Sequence, residues 1–216
     1  MTLSILILEV ILAYLVGSIA TAVWVGKLFY KIDIREHGSG NAGATNVIRV
    51  LGYKAGIPVL LFDVFKGWFA VQLAWIFPHE FSSPGSMEYL MIALSVAVFC
   101  GHVFPVFAGF KGGKGVGTLA GVGIALYPLA LLIVLGIFIL TLILTKYVSL
   151  SSLLGGISFP FIVVFIGGET HPGLIVLSIL VAVLIPLTHA KNIRRLLKRE
   201  ENKFNFRRRK KEAGDT

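Results

Sequence analysis

Two glycine-rich segments hold most of the residues that could bind a phosphate group. The first, GSGNAGATN, occupies residues 38–46 and is followed by Arg49. Glycine permits backbone conformations in which successive N–H groups point into one concavity, and such a concavity can hold an anion. Arg49 adds a planar fork suited to phosphate. Further hydrogen-bond donors are the short side chains of Ser39, Asn41, Thr45 and Asn46. A plain polar connection between two helices would have the same composition, and both interpretations stay open.

The second segment, KGGKG, presents two lysines separated by two glycines. Lys111 and Lys114 flank Gly112 and Gly113. A Walker phosphate loop requires Ser or Thr directly after its lysine, whereas Gly115 follows Lys114, so that motif is excluded. The lysines could grip a phosphate or anchor helix ends at a membrane surface. Anchoring does not explain four glycines within residues 109–115, which favours a ligand role.

The remaining ionisable candidates are two histidines and a carboxylate–amine pair. His189 stands just before a basic stretch and is a better candidate than His102, which lies inside an apolar run. Asp63 and Lys66 are three residues apart, so a mutually neutralising structural pair is favoured over a functional one. No histidine pair has metal-ligand spacing with a carboxylate partner, and no metal site is expected.

The elements that position these residues are membrane helices. Of the 216 residues, 56% are apolar and only 14% are charged, and the mean hydropathy is +0.86. Soluble domains are roughly one-quarter charged, so this is an integral membrane protein. A helix crosses the bilayer in about 20 residues. The apolar runs are 3–29, 57–77, 89–107, 116–144, 150–166 and 172–187.

Charge predicts the orientation of these helices. Residues 72–110 and 147–190 contain no lysine or arginine, so loops 78–88 and 167–171 should face outside. Lys114 and Lys146 can both be cytoplasmic only if the run between them crosses twice. We therefore expect a break at Tyr127–Pro128, since proline ends or kinks a helix. The prediction is an all-α integral membrane protein of about seven transmembrane helices, N-terminus out and C-terminus in.

This topology predicts one membrane domain, residues 1–190, whose cytoplasmic loops 31–54, 109–115 and 145–149 form the site. A basic cytoplasmic extension, residues 191–216, follows it. Since the glycines of the first loop follow a membrane helix rather than a strand, their Gly-x-Gly-x-x-Gly spacing does not indicate a dinucleotide fold.

Four segments carry a resemblance to a known family: GSGNAGATNVIR, GHVFPVFAGFKGGKGVGT, KYVSLSS and HAKNIRRL. They resemble the cytoplasmic signatures of the bacterial acyl-phosphate:glycerol-3-phosphate acyltransferases, the PlsY family. The resemblance implies a multi-pass enzyme of the bacterial inner membrane with a cytoplasmic active site. Its reaction would transfer a fatty acyl group from acyl phosphate to the sn-1 hydroxyl of sn-glycerol 3-phosphate. The products would be lysophosphatidate and phosphate, the first acylation step of phospholipid synthesis.

The resemblance also implies roles for individual residues. Catalytic roles fall to Ser39, Arg49, Lys111 and His189. Substrate-binding roles fall to Gly38, Gly40, Asn41, Gly43, Thr45, Asn46, His102, Gly112, Gly113, Lys114 and Asn192. Two positions depart from the family pattern: Ala190 stands where an arginine is expected, and a glycine expected near Lys198 is missing. No cofactor is expected. The expected partners are acyl phosphate, glycerol 3-phosphate and membrane lipid, with the soluble enzyme that makes acyl phosphate as a candidate.

Two questions stay open from the sequence. The reacting hydroxyl could lose its proton to a substrate phosphate oxygen or to His189. The alternative function is a membrane carrier or channel for a phosphorylated solute, although the chain lacks the internal repeat that many transporters show. The tail after residue 202 carries six cations. It should lie against anionic lipid or act as an orientation signal, and nucleic acid is a poor fit.

Overall fold

The computed structural model describes residues 3–77 and 84–205, and most of these residues are helical. Three short 3-10 helices, at Ile34–Glu36, Leu73–Trp75 and Val106–Ala108, lie in the connections. The predicted all-helical architecture is confirmed for the described residues. Their α-helices are α1 Leu3–Gly17, α2 Thr21–Tyr30, α3 Ala44–Leu51, α4 Tyr53–Gln72, α5 Ser86–Val103, α6 Val116–Leu126, α7 Pro128–Thr145, α8 Val148–Phe165, α9 Pro172–Thr188 and α10 Ala190–Leu197.

Four segments of the described residues are long and apolar enough to cross a membrane. Two further helix pairs, α1 with α2 and α9 with α10, reach that length only together, and they bend by 43° and 62°. The first apolar run is therefore broken after Gly17 rather than continuous. α6 has 11 residues and is shorter than a full span. The count is four to six spans, and seven stays a prediction. The four segments are Tyr53–Trp75, Ser86–Ala108, Pro128–Thr145 and Val148–Phe165.

The run 116–144 is divided at Tyr127, as the proline beside it predicts. α6 ends one residue before Tyr127 and α7 begins with Pro128, whose missing N–H costs nothing in a first turn. The Tyr127 hydroxyl donates to the carbonyl of Leu174, in the first turn of α9. Lys114 and Lys146, in contrast, both contact the C-terminal segment 192–204. The chain thus leaves one face of the bundle at Lys114 and returns to it at Lys146.

Close helix packing brings the segments of that face together. α4 and α6 touch through glycines: a Cβ on Gly67 would stand 2.0 Å from the carbonyl oxygen of Thr118, and one on Gly121 would stand 1.9 Å from that of Val64. Small residues allow helices to approach this closely where no hydrophobic effect drives association. We call the side where residues 31–43, 109–115 and 198–205 lie the loop face.

The Asp63–Lys66 pair is buried in α4 and stabilises the bend between α1 and α2. Lys66 Nζ lies 3.0 Å from Asp63 Oδ1 and donates to the carbonyl of Ile19 at 2.9 Å. Ile19 lies in the bend, where a backbone carbonyl has no helical partner. Lys66 is only 1% exposed. These contacts support the structural interpretation of the pair.

Candidate active site

The first glycine-rich loop is held from inside by Asn46. Its Oδ1 accepts a hydrogen bond from the Ser39 backbone N–H at 2.8 Å. Its amide nitrogen donates to the carbonyls of Ile34 at 3.0 Å and His37 at 2.9 Å. Gly38 has φ +62°, a left-handed conformation that favours glycine, and a Cβ there would meet Asn46 Oδ1 at 2.4 Å. Asn46, 1% exposed, therefore fixes the loop's shape.

An arginine fork ties this loop to the second one. Arg35 donates to both carboxylate oxygens of Asp33, at 2.9 and 2.6 Å. Its remaining nitrogen, Nη1, donates to the carbonyls of Ala108 at 2.8 Å and Lys111 at 3.3 Å. The hydrogen bonds from Arg35 hold the pKa of Asp33 well below its usual range, with a smaller contribution from Lys27. The carboxylate therefore stays ionised, and the ion pair between Arg35 and Asp33 persists at physiological pH. We call Arg35 with Asp33 the arginine clamp.

The second loop packs against the end of α5. The N–H groups of Gly112 and Gly113 donate to the carbonyls of Val103 and His102, both at 3.1 Å. A Cβ on Gly112 would lie 2.0 Å from the His102 carbonyl oxygen, so only glycine fits there. His102 is 7% exposed and lies beneath the loop, with Nδ1 3.7 Å from Asp63 Oδ1. The described structure thus places His102 as a support for the loop's backbone.

A chain of polar contacts joins the second loop to the C-terminal segment. Lys114 Nζ donates to Asn192 Oδ1. The amide nitrogen of Asn192 donates to Glu201 Oε1 at 2.7 Å, and the Ser149 hydroxyl donates to the same oxygen at 3.0 Å. This chain fixes the orientation of the Asn192 amide, because its oxygen faces a cation and its nitrogen faces an anion. Three separate parts of the sequence therefore meet at one point.

The charges around this point are mostly positive. The pKa of Lys114 is lowered to about 8, chiefly by burial; Glu201 opposes the shift, and the like charges of Arg195 and Arg49 add to it. Burial also lowers the pKa of Arg49, again against the effect of Glu201. Three cations and one carboxylate leave an excess of positive charge that is costly to hold partly buried. A bound anion would relieve that cost, so we define Arg49, Lys114, Asn192, Arg195 and Glu201 as the charge cluster.

His189 borders the charge cluster just beyond the end of α9. Its Nδ1 lies 2.8 Å from the carbonyl oxygen of Ile185, and the residue is 2% exposed. A carbonyl oxygen can only accept, so Nδ1 carries the proton and Nε2 keeps its lone pair. Burial, followed by the charge of Lys114, lowers the pKa of His189 to about 4. The imidazole is therefore a neutral hydrogen-bond acceptor near neutral pH.

Residues 198–205, which we call the strap, cross the loop face. The Phe204 N–H donates to the carbonyl of Lys146 at 2.6 Å. The Phe204 ring stands edge-on to that of Tyr53, with centroids 6.3 Å apart. Lys203 Nζ lies 5.6 Å from the centroid of the Tyr147 ring. These contacts hold the strap in place and carry Glu201 into the charge cluster.

The predicted site residues fall into two neighbouring groups. Arg49, Lys114, His189 and Asn192 come together around the charge cluster. Lys111 instead lines an open cavity of about 360 Å³ beside the arginine clamp. The other lining residues of that cavity are Asp33, Arg35, Glu36, Gly40 and Gly112. The first loop carries Gly38, Ser39, Gly40, Asn41, Gly43, Thr45 and Asn46 as predicted, and Thr45 lies in the first turn of α3.

The sequence analysis missed four residues that the structure assigns to this region. Arg35 could have been noticed from the Asp-x-Arg spacing just before the glycine loop. Ser149 and Arg195 lie in the quoted KYVSLSS and HAKNIRRL segments, but nothing singled them out there. Glu201 had no local signal, because its contacts join segments far apart in the chain. The basic tail beyond residue 205 lies outside the described residues, and its predicted lipid contact stays a prediction.

Comparisons with known proteins give a consistent result. A family model described as "Glycerol-3-phosphate acyltransferase" matches residues 7–199. The "Glycerol-3-phosphate acyltransferase 2" of Bacillus anthracis is 47% identical over 199 residues, which cover 92% of this chain and 98% of the relative. The glycerol-3-phosphate acyltransferase of Staphylococcus carnosus (strain TM300) is 46% identical over 203 residues, covering 93% of this chain and 98% of the relative.

Two solved structures share the fold. The glycerol 3-phosphate form of PlsY, an integral membrane glycerol 3-phosphate acyltransferase, superposes with a TM-score of 0.83 at 36% identity. The matched region covers 93% of this chain and 96% of that one. The lysophosphatidic acid form of PlsY superposes with a TM-score of 0.79 at 36% identity and covers 93% and 95% of the two chains.

Proposed function

The chain belongs to the glycerol-3-phosphate acyltransferase family, and we propose that it acylates the sn-1 hydroxyl of glycerol 3-phosphate using acyl phosphate as donor. It is a multi-pass membrane enzyme, and its products are lysophosphatidate and phosphate. The observation that carries the assignment of the site is the charge cluster, where Lys114, Ser149 and Asn192 bring three signature segments together through Glu201. Both substrates carry phosphate, which the excess of positive charge there suits.

The donor needs little activation. An acyl phosphate is a mixed anhydride, so the enzyme can act by orienting the acceptor hydroxyl and stabilising the departing phosphate. The hydroxyl oxygen of glycerol 3-phosphate forms a bond with the acyl carbon, and the bond between that carbon and the phosphate oxygen breaks. The hydroxyl proton must leave in the same process. Arg49 and Lys114 supply cations for the charge that develops on phosphate.

We infer that a substrate phosphate oxygen, rather than His189, takes the proton. The pKa of His189 is lowered to about 4, whereas a general base works best with a pKa near the operating pH. Its Nε2 can instead accept a hydrogen bond from the sn-1 hydroxyl and orient it. The site of this step lies on the loop face, near the ends of apolar helices that can hold the acyl chain of the donor.

We propose that the loop face is cytoplasmic, in a bacterial inner membrane, with the N-terminus outside and the C-terminus inside. The lysines and arginines near the membrane ends concentrate on this face, in agreement with the positive-inside rule. In a cysteine-free protein, Lys146→Cys and Thr170→Cys probe the two faces, and both positions are exposed. A membrane-impermeant thiol reagent applied to whole cells should label only Thr170→Cys. Labelling of both positions would contradict the orientation.

Phosphate release by the purified protein in detergent tests the function. With palmitoyl phosphate as donor, release should require glycerol 3-phosphate, and palmitoyl-CoA should not replace the donor. Lys114→Met should lose most activity, because it removes a half-buried cation from the charge cluster. Lys191→Met is the matched control, since this lysine is exposed on α10. If folded protein releases no phosphate, the alternative function, a membrane carrier for a phosphorylated solute, would be favoured.

A further inference from the structure

The two carboxylate oxygens of Glu201 differ in their hydrogen bonding. Oε1 accepts hydrogen bonds from Ser149 and from Asn192. Oε2 is buried, and it has no hydrogen-bond partner among the residues that the structure describes. A buried polar atom of this kind is costly, and native proteins normally provide it with a partner. The missing partner must be a donor that reaches the charge cluster.

The substrate of the proposed function brings such a donor. With its phosphate held by Arg49 and Lys114, glycerol 3-phosphate carries a hydroxyl on the carbon next to the esterified one. This C2 hydroxyl does not react, but it must be held so that the C1 hydroxyl alone meets the acyl carbon. His189 Nε2 already offers an acceptor for the C1 hydroxyl. The free oxygen of Glu201 is left for the C2 hydroxyl.

We propose that Glu201 Oε2 accepts a hydrogen bond from the C2 hydroxyl of glycerol 3-phosphate and thereby selects this substrate over phosphates that lack the hydroxyl. The inference rests on the proposed function. Ser149 and Asn192 hold the carboxylate in one orientation. The Glu201 side chain is therefore already ordered, and substrate binding does not have to restrict it further. Its negative charge makes the hydrogen bond stronger than one to a neutral acceptor.

The proposal also accounts for a carboxylate in a site that binds anions. Arg49, Lys114 and Arg195 carry three positive charges, and Glu201 reduces the total to two. A carboxylate weakens phosphate binding, so its presence needs a compensating role. A specific contact with the substrate hydroxyl is such a role, because sites built to bind a hydroxyl reject analogues that lack it.

The test compares two acceptors in phosphate release from palmitoyl phosphate. One is glycerol 3-phosphate, and the other is 3-hydroxypropyl phosphate, which lacks only the C2 hydroxyl. The wild-type protein should prefer glycerol 3-phosphate in kcat/KM by about 10- to 100-fold, the value of a charge-assisted hydrogen bond. Glu201→Gln should reduce this ratio to about fivefold or less, the value of a neutral hydrogen bond of about 1 kcal/mol. Glu200→Gln is the matched control, because Glu200 is exposed and should keep the wild-type ratio.

Each other outcome has a definite meaning. If Glu201→Gln slows both reactions equally and keeps the ratio, Glu201 is only a brace for Asn192, and the proposal is overturned. It is equally overturned if Glu201→Gln reacts faster with glycerol 3-phosphate, because the carboxylate then merely competes with phosphate. Should Glu201→Gln fail to fold, Glu201→Asp retracts the carboxylate and should also lower the ratio. A wild-type ratio near one contradicts the proposal without any variant. Failure of the proposed function is distinct, since the wild-type protein would then release no phosphate with glycerol 3-phosphate.

Discussion

His189 offers the sharpest test of how the reacting proton moves. Its Nδ1 is held by the carbonyl of Ile185, so Nε2 alone can contact a substrate hydroxyl. The change His189→Asn keeps an amide donor near the position of Nδ1 and removes Nε2. His189→Gln does the reverse, because its longer side chain can carry an amide oxygen near the position of Nε2. The pair therefore separates support of the backbone from contact with the substrate.

The expected magnitude follows from the state of the imidazole. If Nε2 only orients the hydroxyl, its loss removes one hydrogen bond, about 0.5–1.5 kcal/mol, or roughly a 2- to 13-fold decrease in rate. A general base would contribute roughly 10²- to 10⁴-fold. The pKa of His189 is lowered from 6.5 to about 4, which makes it a weak base at neutral pH. We therefore expect His189→Asn to lower kcat by about tenfold, and His189→Gln to lower it less.

The assay is kcat and KM for glycerol 3-phosphate at saturating palmitoyl phosphate, measured between about pH 5.5 and 8.5. Because His189 stays neutral in the folded protein across this range, His189→Asn should leave the shape of the pH profile unchanged. Stability gives a second readout. In the unfolded chain His189 has its usual pKa of 6.5, whereas in the folded protein its pKa is about 4. Between these two pH values the unfolded state binds a proton that the folded state does not. Wild-type stability should therefore fall as pH decreases through this window, and His189→Asn should lessen the fall. A 10²- to 10⁴-fold loss of kcat, with an acid limb of the profile abolished, would refute this assignment and make His189 the general base.

Three further predictions concern the parts that support the site. Lys66→Met leaves Asp63 buried without its partner and should lower stability by about 3–5 kcal/mol; adding Asp63→Asn should restore most of it, as thermal unfolding in detergent would show. No recovery would mean that Lys66 matters mainly through the Ile19 carbonyl. Gly112→Ala should displace the second loop and lower kcat/KM by about 10²-fold, whereas Gly136→Ala, where a Cβ meets nothing within 4 Å, should be silent. Equal effects would contradict the packing argument. Arg35→Lys keeps the charge but cannot bridge a carboxylate and two carbonyls, so KM for glycerol 3-phosphate should rise about tenfold, with a loss of stability of about 1–3 kcal/mol. An unchanged KM would show that the clamp does not position the second loop.

The sequence predicts the features that depend on local chemistry. Pro128 marks the helix break, since a proline has no N–H and clashes with a preceding turn. The glycines of both loops mark places where a side chain cannot fit, as Gly112 against the His102 carbonyl illustrates. Lys114 could be selected from its glycine-rich segment, and Asn192 from the resemblance of its segment to a known family. Their direct contact confirms that the two segments meet, although it leaves their roles in catalysis as proposals.

The features that the sequence could not predict depend on contacts between distant segments. Asn46 looks like a ligand for substrate, because nothing in its neighbourhood reveals that two backbone carbonyls and an N–H will surround it. Glu201 lies in a charged stretch that reads as solvated tail. Only the fold shows that the strap returns across the loop face. The bend after Gly17 is similarly hidden, because its carbonyl partner, Lys66, comes from another helix.

The strap also sets when the enzyme can become active during its synthesis. Tyr53 at the start of α4 contacts Asn205, 152 residues later, so segments that meet on the loop face are made early and late in translation. The early helices can insert and pack while the ribosome is still adding the later ones. The charge cluster cannot form around Arg49 and Lys114 until Asn192 and Glu201 have been made. The polar contacts that join Lys114, Asn192 and Glu201 need the C-terminal segment. A nascent chain therefore carries its glycine-rich loops before the charge cluster exists, and the cluster forms only when α10 and the strap have been made and have packed against them.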